Sequence, residues 1–199
     1  SSRMGRLISR EYQDERDQQI LFLLDCGSRM RERDGELSHF DHTLNAILLL
    51  SYVALGQGDA VGLSTFGHVS PRFLPPRKSV ATVNRLLNAV YDLEPTLQVP
   101  DYLVAAEGVQ KRLTKRTLII LLTNVRDEDD DTLGPAMRLL RRRHAVTLAS
   151  LKEAVLDELV EAPVVDFDAA LTRAASLEYL HSRRRQAAML RHGGVQIVD

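Results

Sequence analysis

The chain has 199 residues, 44% of them hydrophobic, which is enough to bury one core and too few to expect two domains. Its 26 Lys and Arg stand against 27 Asp and Glu, so it lacks the basic excess with which proteins hold nucleic acid or anionic membranes. Cys26 is the only cysteine, which excludes an internal disulfide and a cysteine-based zinc cluster and fits a reducing, cytoplasmic compartment. The longest apolar stretch, Ala46 to Leu55, is interrupted by Ser51 and falls short of the roughly 20 residues that span a bilayer. No basic region followed by an apolar core opens the chain, and both ends, SSRMGRLISREY and VQIVD, read as cuts.

In chain order, residues 1–17 form an amino-terminal extension or edge strand, since RLISREY alternates weakly and the residues after it are polar. A single domain over 18–199 then begins with Gln19 to Leu24, a buried strand ending at Asp25. Leu37 to Gln57 has apolar residues at helical spacing and on most other sides, which predicts a largely buried helix, capped by Ser38 or Asp41 and stopped by Gly56 and Gly58. Asp59 to Phe66 is a second strand. Ser70 to Leu74, just before Pro75 and Pro76, suits a short edge strand and is the place for an antiparallel member.

Helices follow at Val80 to Leu93 and Asp101 to Leu113, then a fully buried strand at Thr117 to Leu122, which should neighbour the first. Leu133 to Arg143 is helical, Ala145 to Leu151 a strand, Phe167 to Arg191 a long helix, and Gly194 to Val198 the closing strand. Strands alternating with helices predict an α/β, three-layer, doubly wound, mostly parallel sheet with one antiparallel edge strand.

In such a sheet ligands gather outside the carboxyl ends of strands where the strand order reverses. That rule selects Asp25-Cys26-Gly27-Ser28-Arg29-Met30 after the first strand and Thr123-Asn124 through Asp127 after the buried strand Thr117 to Leu122. His39, Asp41 and His42 cluster at the start of the buried helix, but two histidines without a third ligand read as caps and surface residues. The acidic run Asp127 to Asp131 complements a helix dipole, as does Arg141 to Arg143 at that helix's other end. Neither a G-x-S-x-G turn nor a phosphate-cradling glycine loop occurs, and Cys26 has no partner histidine at recognisable spacing.

The stretches GRLISREYQDERDQQILFLLDCG, QGDAVGLSTFG, RFLPPRK, YDLEPT and LLTNVRDEDDDTLGPAMRLLRRRHAVTLASL together resemble the domain of unknown function 58 family, a branch of the von Willebrand factor type A superfamily. The resemblance covers Gly5 to Leu151. It implies a site built from D-x-S-x-S after the first strand, a threonine before a later helix and an aspartate after the fourth strand, together holding a divalent cation.

Against that pattern Asp25 stands in place, but Gly27 and Arg29 occupy the two serine positions, with Ser28 between them. Thr123-Asn124 puts a neutral amide where the second carboxylate belongs. Asp101 falls near the threonine position and reads equally as a helix N-cap. Asp25 and Asp101 are thus the remaining candidate metal ligands, and Arg29 is placed to fill the cation's position.

The expected function is a non-catalytic protein-interaction module. Its contact surface would be Asp25, Gly27, Ser28, Arg29, Asp101, Thr123, Asn124 and Asp127. The resemblance further implies a MoxR-type AAA+ ATPase as partner, and a parent protein tethered to a membrane by segments outside this chain. No cofactor is expected, with Mg²⁺ as the ion if the site is still competent. The alternative is a divalent-metal-dependent hydrolase using Asp25 and Asp101, and a third reading places the contacts on the surface of the helix Phe167 to Arg191, around Arg183 to Arg185.

Overall fold

The computed structural model describes residues 18–126, 130–151 and 154–198. The expected amino-terminal strand and Asp127 lie outside the described residues.

Strand β1 (Gln19–Asp25) runs parallel to β4 (Ala60–Phe66) on one side and to β6 (Leu118–Thr123) on the other, as the two buried apolar runs predict. The sheet continues through β7 (Ala145–Ser150) to β8 (Gln196–Val198), and β5 (Phe73–Arg77) pairs antiparallel with β4 at the opposite edge. The order β5-β4-β1-β6-β7-β8, with one antiparallel edge strand, is the doubly wound arrangement expected of a von Willebrand type A domain.

Alternation along β1 divides the core. Leu21 and Leu23 pack with Tyr102, Ala106 and Val109 of α3 (Tyr102–Arg112) and with Leu133, Met137 and Leu140 of α4 (Asp130–Arg141). Phe22 and Leu24 face the other way, onto Phe40, Ile47 and Ala54 of α1 (His39–Gly56) and Leu86 and Val90 of α2 (Ala81–Val90). Each fully buried Leu or Phe contributes roughly 1.5–3 kcal/mol, so β1, buried from both sides, is the centre of the domain's stability.

Three details differ from expectation, each for a local reason. Leu37 does not start the helix. Ser38 has extended backbone angles, φ −77° and ψ 161°, and caps it through a capping box in which Ser38 Oγ accepts the Asp41 N–H at 3.1 Å and Asp41 Oδ2 accepts the Ser38 N–H at 3.0 Å. Leu37–Ser38 (β3) instead pairs with Arg33–Asp34 (β2) around Gly35, whose φ of +68° closes the turn.

The edge strand lies later than Ser70 to Leu74 and contains both prolines, because the ladder slips between Val61 and Leu63 where their missing N–H groups are tolerated. Gly62 makes room for them: a Cβ there would stand 2.5 Å from the Leu74 carbonyl oxygen. Finally, α5 (Ala154–Glu161) precedes α6 (Phe167–His192), whose start is capped by Asp166 accepting the Ala169 N–H at 2.7 Å. No helix among the described residues is long and apolar enough to cross a membrane.

Candidate functional site

Because β4 and β6 flank β1 on opposite sides, the loops after β1 and β6 open on one crevice at the switch point. Asp25 ends β1 fully buried. Its Oδ1 accepts the Gly27 N–H at 2.7 Å, and its Oδ2 accepts the Thr123 hydroxyl at 2.6 Å. Tyr102, the first residue of α3, places its hydroxyl 2.9 Å from Thr123 Oγ1. A threonine has one hydroxyl proton, and here it points at the carboxylate, so Tyr102 donates and Thr123 relays.

Backbone closes the mouth of this network. The Ser28 N–H donates to the Gln98 carbonyl at 2.9 Å, the Thr96 N–H to the Cys26 carbonyl at 2.7 Å, and the Thr96 hydroxyl to the Gly67 carbonyl at 2.6 Å. A Cβ on Gly27 would lie 2.8 Å from the Gln98 oxygen and 3.0 Å from Asp25 Oδ1. Gly67, at φ +69°, is as tightly held, with an added Cβ 2.9 Å from the Gly27 nitrogen. Three loops therefore converge on Asp25 with no room for side chains between them.

Arg29 and Met30 are buried in the 3-10 turn Ser28–Arg31 that follows, with Arg29 only 7% exposed. Asn124, directly after Thr123 at the end of β6, is fully buried, but its amide serves a second cluster, donating to Glu32 Oε2 at 3.1 Å and lying 3.3 Å from His39 Nδ1. Arg126 pairs with the same Glu32. This cluster ties the loop after β6 to the hairpin that precedes α1.

Asp101 stands at the rim, exposed, with Oδ1 accepting the Val104 N–H at 3.0 Å, which is an N-cap. Asp41 is committed to its capping box, and the Ser38 hydrogen bonds hold its carboxyl below the usual range. Burial, reinforced by the charge of Asp25, pushes the Cys26 thiol up to about 12, so it is no thiolate nucleophile at neutral pH. Among the described residues no three His, Cys, Asp or Glu side chains gather as metal ligands.

Among the described residues, the donor set is poorly suited to a hard divalent cation. Both Asp25 oxygens already accept hydrogen bonds, the Thr123 hydroxyl is spent on Asp25, and Gly27 and Arg29 bring no oxygen donor where two hydroxyls are needed. Asp25, Gly27 and Thr123 are joined by direct bonds, Ser28 is held through its backbone, Asn124 faces the neighbouring cluster, and Asp101 serves its own helix. Sequence reasoning missed Tyr102, Gly67, Gln98 and Glu32. Only Gly67 carried a signal, as a glycine directly after a buried strand.

No curated protein matches the chain. Among solved structures, BatB from Bacteroides thetaiotaomicron is similar with a TM-score of 0.51 at 17% identity, over 67% of this chain and 66% of that one. Proximal thread matrix protein 1 from the mussel byssus also gives 0.51, at 14% identity over 67% of this chain and 37% of that one. The SpRpn10 VWA domain gives 0.48 at 16% identity over 69% and 78%. At such identities the likeness is one of fold alone. The family model described as "Protein of unknown function DUF58" matches residues 1–192, and the chain belongs to that family, built on a von Willebrand type A fold.

Proposed function

We propose that the chain is a non-catalytic protein-interaction module whose crevice docks a partner without a bound cation, and that this partner is a MoxR-type AAA+ ATPase. The observation that carries the reading is the internal commitment of Asp25 to Gly27 and Thr123. A carboxylate with a hydrogen bond already accepted at each oxygen is less free to take a metal or a proton, and it rigidifies the loops around it. In this reading Arg29, buried in the turn that follows Asp25, supplies the positive charge that a cation would bring.

The test is capture of a MoxR-type ATPase by the native chain and by Arg29→Glu and Asp25→Ala variants, each first shown to be folded by its thermal melt. Capture by the native chain and its loss in both variants is the expected result. Absence of capture, or indifference to both changes, sinks the assignment. Calorimetric titration with Mg²⁺ and Mn²⁺ should give no heat of binding, and a saturable response to either would favour the metal-dependent hydrolase instead.

A further inference from the structure

Helix α1 presents a second surface, which the crevice residues do not include. Helix α1 carries one carboxylate, Asp41, and no Lys or Arg over its 18 residues, and from Ala46 to Leu55 it is apolar except for the buried Ser51. A helix of that composition belongs in an interior. Yet Leu49 is 65% exposed, Leu50 45%, Tyr52 69% and Val53 47%.

The sheet beside it is covered unevenly. Ile119, Leu121, Val146 and Leu148, on the side of α3 and α4, are buried, whereas Ile120 and Ala149, on the side of α1, are only partly so. Parallel sheets are ordinarily covered on both faces. The outer face of α1 is thus an apolar ridge standing beside an apolar trough.

We propose that a second copy of this chain covers this face, forming a two-fold symmetric dimer in which the Leu49–Val53 ridge of each protomer packs into the trough of the other. Three observations choose the occupant. A ridge next to a trough on one surface is self-complementary, which is what an isologous interface requires. The ridge residues Leu49, Leu50, Tyr52 and Val53 carry no charge with which to select a charged partner, and α1 lacks the Lys and Arg that an anionic lipid surface would need.

The area also fits. The four exposed side chains and the half-covered strands present on the order of 500 Å² of apolar surface, more than most monomers leave in one patch. That equals the apolar share, about 65%, of the roughly 800 Å² each partner contributes to a standard homodimer interface.

The experiment is light scattering on the size-exclusion eluate of the chain across a concentration series, for the native sequence and for Leu49→Glu and Tyr52→Lys. Both substitutions replace exposed side chains, and far-UV circular dichroism confirms that the helix content is kept. A native mass of two chains that falls to one in both variants supports the interface. A native chain that stays monomeric at every concentration, or a dimer that survives both substitutions, overturns it. So does a native monomer whose apolar face is covered by its own residues 1–17, which would appear as dimerisation only after their removal. The outcome is independent of the ATPase capture, because the variants leave the crevice untouched.

Discussion

Thr123 at the end of β6 donates its hydroxyl proton to Asp25 at the end of β1, 2.6 Å away across 98 positions of sequence. The two strands are neighbours, so this one bond locks together the loops on either side of the switch point. Tyr102 completes the line from α3, and all three side chains are buried.

Replacing Thr123 by the near-isosteric Val should therefore cost on the order of 3 kcal/mol, since it removes a donor from a buried carboxylate together with the Tyr102–Thr123 hydrogen bond. Tyr102→Phe removes only the outer bond and should cost about 1 kcal/mol. The double variant should be less destabilised than the sum, because the outer bond is already lost in Thr123→Val. Urea unfolding of the four proteins measures this. Strict additivity would show that the three groups do not act as a line.

His144, in the turn between α4 and β7, is 4% exposed, and neither ring nitrogen has a hydrogen-bond partner among the described residues. Burial, with Arg143 adding to it, holds its pKa below the ordinary 6.5. A histidine depressed in the folded state contributes stability that is complete above the unfolded value and is lost as pH falls through the folded one. The unfolding midpoint should thus drop as pH is lowered from about 6.5 toward 5, and His144→Leu should flatten that limb while costing little or nothing at neutral pH. An unchanged acid limb in the variant would remove His144 as its cause.

The Ser38–Asp41 capping box gives a second pH dependence at lower pH. Ser38→Ala should cost about 1 kcal/mol at neutral pH through loss of the cap. Because the Ser38 hydrogen bonds lower the Asp41 pKa from 3.8, the stability they contribute is present above that value and disappears as pH falls through the folded pKa. The gap between native and Asp41→Asn proteins in chemical denaturation should accordingly close in strong acid. A gap that persists there would mean that the carboxylate charge is not what matters at this helix start.

The parts of the fold that were legible in the sequence are those where burial dictates residue type. The runs QILFLL and TLIILL could only be central strands, and the alternation of strands and helices fixed the sheet order as far as the switch point. The hairpin Arg33–Ser38 was illegible because two-residue strands have no period to read. The slipped β5 was hidden by two prolines that argue against a strand until Gly62 is seen to accommodate them.

At the site, Asp25 and Thr123 were found from their place after strands. Tyr102 was not, because an aromatic in the first turn of a helix looks like any core residue until its hydroxyl is seen to have a polar destination. Asn124 was read as a substituted ligand, but its amide answers to Glu32 and His39, a pairing over 85 or more positions that no spacing rule reveals.

The tightness of the loops around Asp25 bears on whether a cation site could be rebuilt by restoring the missing hydroxyls. Gly27→Ser/Arg29→Ser recreates the D-x-S-x-S pattern on paper. A Cβ at position 27, however, would sit 2.8 Å from the Gln98 carbonyl oxygen, a backbone atom held in place by the Ser28 N–H. The loop bearing Gln98 must move before the serine can fit, and that movement breaks the Ser28 bond and pulls on the Thr96 contacts to Cys26 and Gly67. The expected outcome is a double variant destabilised by on the order of 2 kcal/mol in urea unfolding, with most of the loss already present in Gly27→Ser alone and with no Mg²⁺ binding in calorimetry. Full stability together with Mg²⁺ binding would mean that the loops have the slack to host a cation, and that the two substitutions alone separate this crevice from a metal site.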